Sequence, residues 1–201
     1  QDGPQRGARP LPYDLAAAAR VADGAVLIDL VNSGRTGAVF QVFDNTDRAG
    51  PWRFTLGSGE TYTAGHWNDG RPGVYDLTVH GPNGFHRRFA GDATRPQPQL
   101  TISTNAKGLL TVELTGAQEG TAQAVLDMDA DYPLSEGEAR RRLTLRPGTA
   151  ARSVWDLRGS DHWYDLTVTL ADDPTFIQRL AGHVETGRPS RTDPAIGRMR
   201  L

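Results

Sequence analysis

The sequence predicts an all-β chain of two tandem antiparallel β-sandwich domains of the immunoglobulin-like class, and three observations predict it. First, Gly73-Val74-Tyr75-Asp76-Leu77-Thr78-Val79 returns as His162-Trp163-Tyr164-Asp165-Leu166-Thr167-Val168, sharing Tyr-Asp-Leu-Thr-Val at an offset of 89. Second, the flanking text keeps register. Thr55-Leu56 matches Thr144-Leu145 and Gly59 matches Gly148 at 89; Trp67 answers Trp155 at 88, and Arg88-Phe89-Ala90-Gly91 answers Arg179-Leu180-Ala181-Gly182 at 91. Slips this small belong in loops. Third, short β-branched runs alternate with frequent turn residues, without a convincing helix. A unit of about 90 residues exceeds the solenoid range of roughly 20–50 and matches one small sandwich.

In chain order, residues 1–12 are polar, broken by Pro4, Pro10 and Pro12, and lack the basic start and apolar middle of a signal peptide. They read as a linker from an upstream domain. Residues 13–92 form the first copy. Its opening run, residues 13–19, reads as an edge strand or a short helix, with strand favoured after two prolines. Residues 25–31 and 38–43 are strands around the turn Asn32-Ser33-Gly34. Residues 52–56 and 60–64 flank Gly57-Ser58-Gly59, short enough for a hairpin. A turn-rich bridge over residues 66–73 leads to residues 74–80, where Tyr75, Leu77 and Val79 alternate onto the core face. The turn Gly81-Pro82-Asn83-Gly84 and residues 85–89 complete a terminal hairpin.

Asp92, Thr94, Pro96 and Pro98 mark a semi-rigid linker between the copies. The second copy, residues 99–186, repeats the plan with strands near 99–103, 109–115, 121–127, 141–145, 150–156, 163–170 and 175–180. The tail, residues 187–201, carries no strand pattern.

Composition narrows the function classes. The net charge is -2, with 9 Arg against 10 acids up to Asp92 and 13 basic against 14 acidic residues beyond it. Neither half offers a basic face for nucleic acid. No apolar run is long enough for a transmembrane helix. Cysteine is absent, which removes disulfides, thiolate metal sites and a thiol nucleophile.

No local motif supplies catalysis, and no cofactor is implied. Asp127-Met128-Asp129-Ala130-Asp131 with Glu138 imitates the acidic spacing of a calcium loop, but the sixth position, which needs glycine, is Tyr132, followed by Pro133. An acidic loop between strands is the favoured reading. Among His66, His80, His86, His162 and His183 none has helical ligand spacing; His80 and His86 face one another across the terminal hairpin, where solvated residues are favoured over a weak site. Ser58 lacks a nucleophile-elbow context, and Asp172-Asp173 sits in a turn before Pro174. Trp67 and Trp155 fill matching core positions. Trp52 and Trp163 have no Trp counterpart, which makes them candidates for copy-specific surface contact with lipid or sugar, although burial is favoured for each.

Arg9-Pro10-Leu11-Pro12-Tyr13, the two Tyr-Asp-Leu-Thr-Val strands and the ending Leu180-Ala181-Gly182-His183-Val184-Glu185-Thr186-Gly187-Arg188-Pro189-Ser190 carry a resemblance over almost the whole chain. In these the sequence resembles the C-terminal region of bacterial phosphocholine-specific phospholipases C. The resemblance implies a non-catalytic accessory pair of β-domains behind an upstream phosphoesterase catalytic domain that cleaves phosphatidylcholine or sphingomyelin, in an exported protein. The family's metal ligands and nucleophile belong to that upstream part, so no catalytic or metal residue carries over. The alternative is a free-standing carbohydrate-binding or adhesive pair. If the pair touches a phospholipid surface, Trp163 after the turn 158–162 and Phe85 after the turn 81–84 are the expected contacts.

Overall fold

The computed structural model describes residues 7–65, 67, 73–105 and 107–195. His66 and most of the bridge after it therefore lie outside the described residues, as do 1–6 and 196–201. The strands are β1 Gly7–Ala8, β2 Leu15–Ala22, β3 Ala25–Asn32, β4 Ala38–Asp44, β5 Ala49–Leu56, β6 Glu60–Ala64, β7 Val74–His80 and β8 His86–Asp92, then β9 Gln99–Thr104, β10 Leu109–Thr115, β11 Ala122–Met128 and β12 Arg140–Leu145. Beyond these come β13 Ala150–Asp156, a 3-10 turn at Leu157–Ser160, β14 Trp163–Leu170, β15 Ile177–His183 and β16 Ser190–Arg191.

Each copy is a seven-stranded antiparallel sandwich. In the first, β2-β3-β6 faces β5-β4-β7-β8; in the second, β9-β10-β13 faces β12-β11-β14-β15. The repeat holds at the level of register. Tyr75 pairs with Gly91 as Tyr164 pairs with Gly182, and Phe40 with Phe54 as Ala124 with Leu143. Ile28 pairs with Ala64 as Val112 pairs with Ser153. The period of two sends Tyr75, Leu77 and Val79 into the first core with Ile28, Leu30, Phe40 and Phe89, and Tyr164, Leu166 and Val168 into the second with Leu110, Leu114, Leu126 and Trp155. Burial of each such side chain contributes about 1.5–3 kcal/mol.

Residues 57–59 do not close a hairpin. They carry the chain from β5 in one sheet to β6 in the other, because the buried Asn32 side chain fixes the crossing. Its Nδ2 donates to the carbonyls of Thr36 (2.8 Å), Leu56 (3.1 Å) and Gly57 (2.9 Å), its Oδ1 accepts from Gly34 N–H, and its backbone carbonyl takes the Gly59 N–H. Gly59 lies at φ +76°, which lets the backbone turn there without a Cβ penalty.

The two large sheets are one. β8 pairs antiparallel with β15, from Ile177 opposite Ala90 to Ala181 opposite His86, giving a continuous order β12-β11-β14-β15-β8-β7-β4-β5. Arg88 stands opposite Arg179, its own repeat counterpart, and Phe89 opposite Gln178 mirrors Leu180 opposite Arg87. The copies are therefore related by a pseudo-twofold axis through the sheet at Arg88 and Arg179, and a backbone ladder joins them where a linker alone was expected. The tail also differs from expectation. β16 pairs with β1, Gly7 with Arg191 and Ala8 with Ser190, so the tail carries a short strand that returns to residues 7–8.

Candidate functional site: the seam between the copies

β8, β14 and β15 place Arg87, Tyr164 and Gly182 along a cleft of about 560 Å³ lined also by the 11–16 and 102–105 segments. Arg87 is 1% exposed. Its Nη1 donates to the carbonyls of Ala181 (2.7 Å) and His86 (2.8 Å) and its Nη2 to the Tyr164 hydroxyl (2.9 Å), while its guanidinium lies 4.2 Å from the centroid of the Phe85 ring. A buried charge held by neutral acceptors and a ring face is a stapling device. Across the axis the matching residue is the buried Gln178.

Beside this lies a clasp built from the Gly-His-Val-Glu-Thr segment. His183 Nδ1 donates to Glu185 Oε1 (2.9 Å), which also accepts from Asn83 Nδ2 (2.8 Å), and Glu185 Oε2 accepts from Leu11 N–H (3.0 Å). One carboxylate thus ties the second copy to the terminal turn of the first and to the leading segment. His183 Nε2 lies 2.9 Å from Ser190 Oγ, so serine, imidazole and carboxylate stand in the order of a hydrolytic relay. Its surroundings do not fit acyl transfer. The atom facing both Ser190 Oγ (3.0 Å) and His183 Nε2 (3.1 Å) is the Asp161 carbonyl oxygen, an acceptor where a developing oxyanion would need donors.

The expected lipid contacts both sit inside this seam. Phe85 and Trp163 are each 7% exposed, so neither projects a ring from a loop. Phe85 packs edge-on against Phe40 at 5.7 Å, in the place Phe176 holds in the second core. Trp163 packs against His183 with the rings tilted by 46° and 4.7 Å between centroids, and donates Nε1–H to the Arg191 carbonyl (2.9 Å), while a Cβ at Gly84 would come within 2.9 Å of its ring. Its counterpart Val74 is 62% exposed, whereas Trp163 is covered by Gly84 of the first copy's terminal turn and by the tail at Arg191.

On the other face of the sheet, Arg88 forms a two-point pair with Asp76 and Arg179 one with Asp165. Burial pushes the Asp76 carboxyl up, but Arg88 outweighs it and holds the group below the usual carboxylate range. In the acidic loop the carboxylates have separate partners. Asp127 pairs with Arg140 at 3.7 Å, Asp129 Oδ1 accepts the Asp131 N–H, and no described group of three His, Asp or Glu side chains is placed to hold a metal.

The exposed aromatic rings are at the outer edge of the first copy. Trp52 on β5 is 40% exposed and Tyr62 on β6 50%, with Phe54 and Trp67 packed behind them at ring distances of 5.0 to 6.3 Å. In the second copy Arg141 and Ala151 take the places of Trp52 and Tyr62. There Arg141 lies 4.3 Å over the Trp155 ring and bonds Ser153 Oγ and the Val154 carbonyl, sealing the edge.

The family described as bacterial phospholipase C, C-terminal domain, matches residues 7–92 and again 96–183. The chain belongs to that family. Its tandem of phospholipase C C-terminal domains is 37% identical over 209 residues to a non-hemolytic phospholipase C of Burkholderia pseudomallei (strain K96243), covering 98% of this chain and 28% of the relative. Two proteins of Pseudomonas aeruginosa follow, a non-hemolytic phospholipase C at 35% over 96% of this chain and 29% of the relative, and a hemolytic one at 32% over 96% and 30%. The chain spans less than a third of the curated relatives it matches. Among solved structures a human OSCAR ligand-binding domain covers 86% of this chain at 10% identity, with a TM-score of 0.24 that bears on neither fold nor function.

Proposed function

We propose that the chain is the accessory C-terminal region of a secreted phospholipase C, composed of units 13–92 and 99–186 behind the leading segment 1–12, that serves as a rigid platform for an upstream phosphoesterase domain. The observation that supports this reading most is proportion: a two-copy unit with its own cores fills 28% to 30% of three phospholipases C. The seam fits a platform, since its polar side chains bind the copies to each other and leave no nucleophile with donors for an oxyanion among the described residues. Contact with lipid belongs to the outer edge of the first copy in this reading. With a net charge of -2, overall attraction to anionic headgroups is weak, whereas Trp and Tyr partition to the interface of any bilayer.

Co-sedimentation with phosphatidylcholine vesicles tests the lipid part. The unmodified chain is expected to pellet in part, and Trp52→Ala with Tyr62→Ala to stay in the supernatant; equal pelleting of both rejects that edge. Turnover of a chromogenic phosphocholine ester by the purified chain, surviving repurification, rejects the accessory role.

A further inference from the structure

The terminal hairpin of the first copy holds a feature that the seam does not use. Gly81 N–H donates to the Phe85 carbonyl (2.9 Å), so the next pair along β7 and β8, His80 opposite His86, is of the non-hydrogen-bonded kind in which facing side chains approach most closely. The two imidazoles stand 5.0 Å apart between centroids at an interplanar angle of 69°. Phe43 on β4 braces His80 edge-on at 5.6 Å. The Nδ1 of His86 is buried without a hydrogen-bond partner, whereas both ring nitrogens of His183 are engaged. At the same register in the second copy the pair is Thr169 opposite Ile177, so the sandwich itself requires no imidazole there.

We propose that His80 and His86 form a two-imidazole site for a divalent transition-metal ion of the class that prefers nitrogen ligands, such as Zn²⁺, with water completing the coordination. Burial of His86 and partial covering of His80 hold both rings below the ordinary histidine range, His86 at about 4, so their lone pairs are free of protons at neutral pH. Of the two cations nearest His86, Arg179 is neutralised by Asp165, and Arg87 directs its guanidinium onto the His86 and Ala181 carbonyls and the Tyr164 hydroxyl. The site stands independently of the phospholipase reading.

The experiment is titration of the unmodified chain with zinc chloride, following the imidazole resonances by NMR. The His80 and His86 signals are expected to move together and saturate at one zinc per chain, and His80→Gln is expected to abolish the response. His80 is exposed, so that variant keeps its fold, which its amide spectrum verifies. His162→Gln serves as a control that retains binding. Silence of both resonances up to millimolar zinc, or undiminished zinc binding by His80→Gln, overturns the site.

Discussion

The two copies share one set of strand registers and differ where each meets something the other does not. At the outer edge, the first presents Trp52 and Tyr62 to solvent while the second closes the same edge with Arg141 over Trp155. Along the seam, the first contributes the charged Arg87 and the second the neutral Gln178. The duplicated core carries the fold, and the departures from duplication mark the surfaces that do separate work. Asp76 with Arg88 and Asp165 with Arg179 make the same point in reverse: a pair kept in both copies serves the sheet itself.

The largest expected effect is on the matched tryptophans. Trp155→Ala removes a fully buried ring and should lower stability by about 3–5 kcal/mol, whereas Trp67→Ala, at the half-open edge, should cost about 1–2 kcal/mol. Denaturant unfolding of both variants checks this, and equal losses would erase the distinction between the edges. Next comes the seam. Arg87→Ala leaves the Ala181 carbonyl and Tyr164 hydroxyl without their donor, for an expected loss of about 2–3 kcal/mol, against about 1 kcal/mol for Gln178→Ala.

How much of this was legible in the sequence depends on the range of the interaction. Tyr75, Leu77 and Val79 announced their core face through a period of two, and Tyr-Asp-Leu-Thr-Val announced the duplication. The β8–β15 ladder did not show, because an edge strand that pairs across copies has the same local pattern as one facing water. β1 and β16 are two residues each, too short for any periodicity. Phe85 was recoverable: at the offset of 91 that aligns Arg88 with Arg179, it matches Phe176, a core residue. Trp163 was not, since its counterpart Val74 is open and only the tertiary closure by Gly84 and Arg191 buries it.

A smaller effect concerns pH. Burial keeps His162 below its ordinary value, as it does His80 and His86, so the unfolded chain takes up protons first as pH falls below about 6.5 and stability declines from there. Asp76, held low by Arg88, keeps its contribution at neutral pH and loses it only below about pH 4. Thermal unfolding should thus be flat from pH 8 to 7 and fall on acidification, with His162→Gln shallower between pH 6.5 and 5. An unchanged slope would show that His162 does not contribute to the decline. Smallest of all, Trp52→Ala should cost under about 1 kcal/mol, because its ring is already 40% exposed.

β8 and β15 fuse two sandwiches into one body about a pseudo-twofold axis. Native-state hydrogen exchange of the ladder amides between residues 86–90 and 177–181 tests it most directly. These amides are expected to exchange only through global unfolding, with the same free energy as the core strands β7 and β14. Exchange by a separate, lower-energy opening, with both cores still protected, would show two independent domains resting against each other and contradict it.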